Sequence, residues 1–117
     1  MDAVCFPADE PIGDWYESDW YLAYQNGEIV GYASKKELGG GITYFNRVGV
    51  LPVARGQGIQ KKFLERRIKD SEGTQIITYT LPSNPASSNN LIRQGFLLYL
   101  PTQSWVGDEV LYWTKEV

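Results

Sequence analysis

The sequence predicts an α/β fold: a mixed, mostly antiparallel sheet of six or seven strands, with a central parallel strand pair and helices on its faces. Three observations predict it. An Asn26-Gly27 pair sits between two strand-like runs, an amphipathic segment over residues 58–70 separates two more, and Gly95 closes a short segment opened by Asn84-Pro85. Strand, helix, strand in succession calls for a right-handed crossover joining parallel strands. The close connections elsewhere favour antiparallel pairing.

Along the chain, residues 3–6 read as a short strand and residues 7–18, with Pro7, Pro11 and Gly13, as an irregular or briefly helical arm. Residues 20–24 and 29–34 flank Gln25-Asn26-Gly27-Glu28, whose Asn-Gly pair supplies the positive backbone angles of a tight hairpin turn. Gly39-Gly40-Gly41 reads as a flexible break. Residues 42–51, rich in β-branched and aromatic side chains and stopped by Pro52, form the third strand of a meander. From residue 57 or 58 to about 70, Ile59, Phe63, Leu64 and Ile68 share one helical face, while Lys61, Lys62, Glu65, Arg66 and Lys69 lie largely off it. Residues 75–81 then return to strand character, and Asn84 caps a short helix that Gly95 stops. Residues 96–100 and 110–115 end the chain as two strands, linked by a loop over residues 101–108. All 117 residues are expected to form one domain.

Composition excludes several chemistries. The chain has one cysteine and no histidine, so it has no internal disulfide, no ordinary zinc site and no imidazole-assisted nucleophile. No metal is expected. Any acid or base must be a carboxylate, phenol, amine or water. No apolar run approaches the roughly 20 residues of a membrane span, and the acidic start of the sequence lacks the basic leader of a secretory signal. A cytoplasmic location is the default expectation. The net charge of −3 is unevenly spread. Asp2, Asp9, Glu10, Asp14, Glu17, Asp19 and Glu28 precede the first basic residue, whereas Arg55, Lys61, Lys62, Arg66, Arg67 and Lys69 cluster along one segment. That asymmetry suits an anionic ligand at one place and a cationic partner at another. Both groups also serve as ordinary solvated faces.

The run VGVLPVARGQGIQ, residues 48–60, carries the strongest chemical signal. A strand feeding a glycine-rich turn that opens a helix gathers unpaired N–H groups and the positive end of the helix dipole where side chains are absent. Gly56 and Gly58 supply bare backbone, Arg55 adds a fixed charge, and Lys61 and Lys62 follow on the helix. Taken alone this marks an anion site of unspecified kind. A Walker loop is excluded because Ile59-Gln60 follows Gly58, and Gly56-Gln57-Gly58 lacks the third glycine of a dinucleotide fingerprint. Phosphates also account for the basic cluster better than nucleic acid does, and no nucleic-acid role is expected of an acidic chain.

From about Trp20 onward the sequence resembles the GNAT superfamily of acetyl-CoA-dependent N-acetyltransferases. Ile29-Val30-Gly31-Tyr32 is similar to the family's second hairpin strand, Val50-x-Pro52-x-x-Arg55-Gly56-x-Gly58-Ile59 to its principal motif, and Asn84 followed by Gly95-Phe96 to its later element. The ordered set is far more specific than any single part. The resemblance implies acetyl-CoA as co-substrate: the backbone around Val48 and Val50 pairing with the pantetheine arm, Arg55, Gly56, Gln57, Gly58, Ile59 and Gln60 surrounding the pyrophosphate, Lys61 reaching phosphate, and Asn84 near the thioester end. It also implies an N-terminal helical portion that here is shortened, leaving an open acceptor side.

Two positions depart from the family pattern. Gln60 stands where Gly or Ala is usual, so its side chain must turn away from the cofactor or touch it. Leu91 stands where a tyrosine usually protonates the departing thiolate. Tyr99 and Tyr79 are candidate replacements, with cross-strand packing as their alternative role. Tyr44 and Asn46, on one face by strand alternation, are candidates to hold a proton-carrying water, with plain sheet surface as the alternative. Asn84 is equally explained as a helix cap. Trp15, Tyr16, Trp20 and Tyr21 wall an acceptor pocket, close the core, or meet a second copy in a homodimer. The acceptor expected is a primary amine, with a protein lysine or N-terminal amine suited to an open acidic rim. The competing expectation is a catalytically weak or inactive acetyl-CoA-binding or protein-interaction module.

Overall fold

The computed structural model describes residues 18–101, 104–107 and 109–117. The strand expected at residues 3–6, the arm after it, and the aromatics Trp15 and Tyr16 lie outside the described residues. Strands β1 (Asp19–Gln25), β2 (Glu28–Gly39) and β3 (Ile42–Val50) form an antiparallel meander. A 3-10 turn (Pro52–Ala54) leads to helix α1 (Ile59–Asp70), then β4 (Gln75–Thr80), helix α2 (Pro85–Arg93), β5 (Leu97–Leu98) and β6 (Leu111–Glu116). The six strands lie in the order β1-β2-β3-β4-β6-β5. Only β3 and β4 run parallel.

Local chemistry explains most of these boundaries. Asn26 and Gly27 adopt φ of 54° and 82°, the pair of positive angles a two-residue hairpin requires. Pro52 ends β3 because it cannot donate to the ladder. Asn84 accepts a hydrogen bond from the Ser87 N–H and so caps α2, with Pro85 at the first helical position. The three glycines at 39–41 are no loose break: Gly39 still pairs with Ile42, and all three take positive φ in a tight turn. β2 runs beyond the residues its pattern predicted because Lys35 is buried on an ion pair with Asp19 (3.0 Å) and another with Glu37 (2.6 Å). Conversely β5 is shorter than predicted, although the Tyr99 N–H still donates to the Tyr112 carbonyl.

Phe45, Leu64, Ile76, Leu91, Phe96 and Trp113 form the core, where α1 and α2 cover one face of the sheet. Packing thus fixes α1 and α2 against the parallel pair. Ladder pairing between β3 and β4 joins only Ile42, Thr43 and Tyr44 to Gln75, Ile76 and Ile77. The Thr78 hydroxyl still donates to the Phe45 carbonyl (2.9 Å), and beyond that the strands part. Their divergence opens a cleft toward the loop that starts α1.

β3 also carries a bulge. Ser34 pairs with Arg47 but Lys36 pairs with Tyr44, so two residues of β3, Phe45 and Asn46, stand opposite Lys35 alone. This breaks the strict alternation assumed for Tyr44 and Asn46. Tyr44 packs edge-on against Trp105, at 5.2 Å between ring centroids, while Asn46 is bonded to Ser34 and Ser18.

Candidate active site

The loop between β3 and α1 is shaped by its two glycines. Gly56 and Gly58 adopt φ of 80° and 78°, and nothing lies within 4 Å of where a Cβ would stand on either. Bare left-handed backbone beside open space leaves room for a ligand to approach the main chain. Gly58 caps α1, whose first internal bond runs from the Lys62 N–H to the Gly58 carbonyl. The N–H groups of Ile59, Gln60 and Lys61 therefore have no partner within the helix. Lys61 and Lys62 stand on this first turn, which has no acidic residue to offset the dipole. Such charges disfavour a free helix and favour a bound anion.

Neighbouring elements brace the loop. Buried Ala54 anchors the 3-10 turn, the Arg55 Nε donates to the Val50 carbonyl at the end of β3 (3.1 Å), and Gln25 donates to the Gln57 side chain (2.7 Å). The Arg55 side chain is thereby tethered while remaining exposed.

The cleft has a volume of about 410 Å³. Phe45, Asn46, Arg47 and Val48 of β3 form one wall and Thr78, Tyr79 and Thr80 of β4 the other; Leu64 and Arg67 of α1 and Leu91 of α2 also line it. Gln60 reaches over to α2, where its amide donates to the Ser87 hydroxyl (2.9 Å). Its side chain is thus held by protein at the cleft between the two helices. Asn84 both caps α2 and lines the cleft, so the two roles read for it are compatible in space. Among the described lining residues there is no carboxylate.

The candidate residues are therefore only partly gathered. Asn46, Val48, Gln60 and Asn84 line the cleft; Val50, Arg55, Gly56, Gln57, Gly58, Ile59 and Lys61 belong to the strand end, loop and helix start at its mouth. Tyr44 and Tyr99 are not among the lining residues: Tyr44 packs on Trp105, and Tyr99 lies against Tyr112 with ring centroids 6.1 Å apart. Tyr79 does line the cleft. Leu91 also faces it, so the hydroxyl expected at that position is replaced by an apolar side chain.

Sequence reasoning missed Arg67. Its side chain is buried, donates through one terminal nitrogen to the carbonyls of Ser34 (3.1 Å) and Arg47 (3.5 Å), and lies 4.6 Å from the centre of the Phe45 ring. Burial pulls its pKa down to about 10, which leaves it charged at neutral pH. No carboxylate among the described residues pairs with it. The available signal was spacing: Arg67 follows Phe63 by four residues and Leu64 by three, which puts it on the apolar face.

Comparison with known proteins gives a consistent result. A family model described as an acetyltransferase (GNAT) domain matches residues 16–96. No curated protein matches the sequence. Among solved structures, an IAA acetyltransferase from Bacillus cereus is similar with a TM-score of 0.81 at 15% identity, covering 98% of this chain and 89% of that one. A GNAT family acetyltransferase from Elizabethkingia anophelis with acetyl-CoA bound gives 0.80 at 18% identity, covering 98% and 87%. A ribosomal-protein-alanine N-acetyltransferase from Brucella melitensis gives 0.72 at 23% identity, covering 92% and 78%. At these identities the likeness is one of fold.

Proposed function

The chain belongs to the GNAT acetyltransferase family, and from that premise we propose that it transfers the acetyl group of acetyl-CoA directly to a primary amine, a protein N-terminus or lysine being the acceptor class. The observation that carries the reading is the parting of β3 from β4 over a cleft whose mouth is the bare-backbone loop at Gly56 and Gly58. The donor chemistry fits: loop N–H groups, Arg55 and Lys61 suit a pyrophosphate, and the diverging strand edges suit an extended amide-bearing arm. Val48 and Val50 would offer backbone to that arm.

In the reaction the neutral amine attacks the thioester carbon and the carbonyl pair moves onto oxygen. Collapse breaks the C–S bond and sends that pair to sulfur. The proton lost by nitrogen passes to water, because no described carboxylate lines the cleft. Asn46 is held by the Ser34 hydroxyl (2.7 Å) and donates to Ser18 (2.9 Å), a polar chain suited to ordering such a water. Tyr79 is the phenol we assign to protonate the thiolate, in place of Tyr99 and of the absent tyrosine at Leu91. The similarity in fold to a protein-alanine N-acetyltransferase and the acidic excess before residue 35 support a cationic protein acceptor.

A thiol-release assay with acetyl-CoA and a panel of peptides and small polyamines tests this. Turnover with peptide amines is expected; activity confined to small neutral amines would contradict the acceptor class. Leu91 favours a second reading, an acetyl-CoA-binding module with little turnover. Thermal stabilisation by acetyl-CoA without CoA release from any amine would select it. We also propose self-association through the β5 edge, where Leu97, Leu98 and Leu100 are exposed; a monomer by sedimentation at assay concentration would rule this out.

A further inference from the structure

The bulge of β3 lies where β3 leaves β4. The last paired residue, Tyr44, is followed immediately by the bulged Phe45 and Asn46, and both line the cleft with Arg47. A bulge disturbs the ladder and leaves main-chain groups without their regular strand partners. Buried carbonyls must find donors elsewhere. Here one donor comes from α1: the Arg67 guanidinium reaches both the Ser34 and Arg47 carbonyls, one from each strand at the paired position beside the bulge.

Burying a guanidinium with no carboxylate is costly, and an apolar residue at this point of the helix would satisfy the core. Arg67 is only 5% exposed and its Nε also donates to the Phe63 carbonyl (3.4 Å). Fixing the bulged geometry is a function that offsets this cost. Ser34, fully buried, is held twice: its carbonyl by Arg67 and its hydroxyl by Asn46. A lysine at 67 would keep the charge without the guanidinium whose Nε bonds the Phe63 carbonyl while one terminal nitrogen reaches both strand carbonyls.

We propose that Arg67 is a positioning residue for acetyl transfer: by fixing the β3 bulge against α1 it holds a β3 backbone N–H toward the thioester carbonyl of bound acetyl-CoA. The proposal rests on the acetyl-CoA reading given above. In the attack step that N–H donates to the carbonyl oxygen on which charge develops, and the buried cation beneath the strand favours the same charge. Without Arg67 the two carbonyls lose the donor that ties them to α1, and the bulged segment is no longer held in one orientation.

Arg67→Met and Arg67→Lys, each compared with the wild type, test the proposal by a readout independent of the acceptor. Difference infrared spectra of protein-bound, carbonyl-labelled acetyl-CoA report the hydrogen bond directly, and calorimetry gives the affinities for acetyl-CoA and CoA. The wild type should lower the carbonyl frequency and prefer acetyl-CoA to CoA by about fivefold, the worth of one hydrogen bond. Both variants should bind CoA like the wild type, lose the frequency shift and the preference, and lose roughly 100-fold in kcat while KM for acetyl-CoA rises no more than the about fivefold lost with the preference. Folded variants that keep the shift and the kcat would overturn the proposal and leave Arg67 a packing residue. Should Arg67→Met not fold, Arg67→Lys decides alone. A wild type that binds no acetyl-CoA would instead overturn the acetyl-CoA reading, and the role of Arg67 with it.

Discussion

Gly49 has no room for a side chain: a Cβ there would lie 2.4 Å from the ring of Tyr32, which is buried and lines the cleft. Gly49→Ala must therefore push Tyr32 out of place, and a loss of about 1–3 kcal/mol in denaturant unfolding is expected, with weaker acetyl-CoA binding. Tyr79→Phe removes the phenol assigned to the leaving thiolate while keeping its packing against Trp105, whose ring centroid is 6.0 Å away. Its kcat should fall about 100-fold with little change in stability. Because the cleft has no described carboxylate, kcat/KM should rise about tenfold per pH unit up to the acceptor's own amine pKa. A plateau set by an enzyme carboxylate near pH 5 would contradict the water-mediated route.

Among the elements, the hairpin of β2 and β3 holds a part-buried ion pair. Burial opposes ionisation of Lys35 and of Glu37, but their mutual hydrogen bond, the one Lys35 donates to Asp19 and the one Glu37 accepts from Thr43 prevail, raising the Lys35 pKa and lowering that of Glu37. A lowered carboxylate pKa stabilises the fold above its ordinary value of 4.5, and the gain is lost as pH falls through the folded value. The raised Lys35 acts oppositely, its contribution present below 10.5 and lost as pH climbs past the folded value. Glu37→Gln should cost about 1–2 kcal/mol at neutral pH, a discounted figure because Glu37 is partly exposed, and the difference from wild type should shrink below pH 4. This pair also explains why β2 was underestimated from sequence. Lys-Lys-Glu reads as a polar strand end, and it is the ion pairs with the cross-strand Asp19 and with Glu37 that accompany the burial of Lys35. The hairpin turn at Asn26-Gly27 and the cap at Asn84 were legible because their cause is local. The bulge was not, since register is settled between strands, and Arg67 was hidden because its charge argued for a surface its spacing denied.

For the whole molecule, fold and loop chemistry converge on the line where the parallel pair separates. The ordered signals at residues 29–32, 50–59 and 84–96 were readable because each is a short stretch of backbone chemistry. Which tyrosine borders the cleft was not readable, as it depends on how the crossover places the strands: Tyr79 is among the lining residues, with its ring also against Trp105, and Tyr99 is not. Arg55→Ala, at the mouth, should raise KM for acetyl-CoA about tenfold and leave the melting temperature nearly unchanged, because the side chain is exposed and makes one bond to the Val50 carbonyl. Among the described residues no helix is long and apolar enough to cross a membrane. The decisive measurement is CoA release from acetyl-CoA by the wild type in the presence and absence of a peptide with a free N-terminal amine. Release that requires the peptide, leaves it acetylated and is weakened by Arg55→Ala is the predicted result; no amine-dependent release across the acceptor panel would contradict the account.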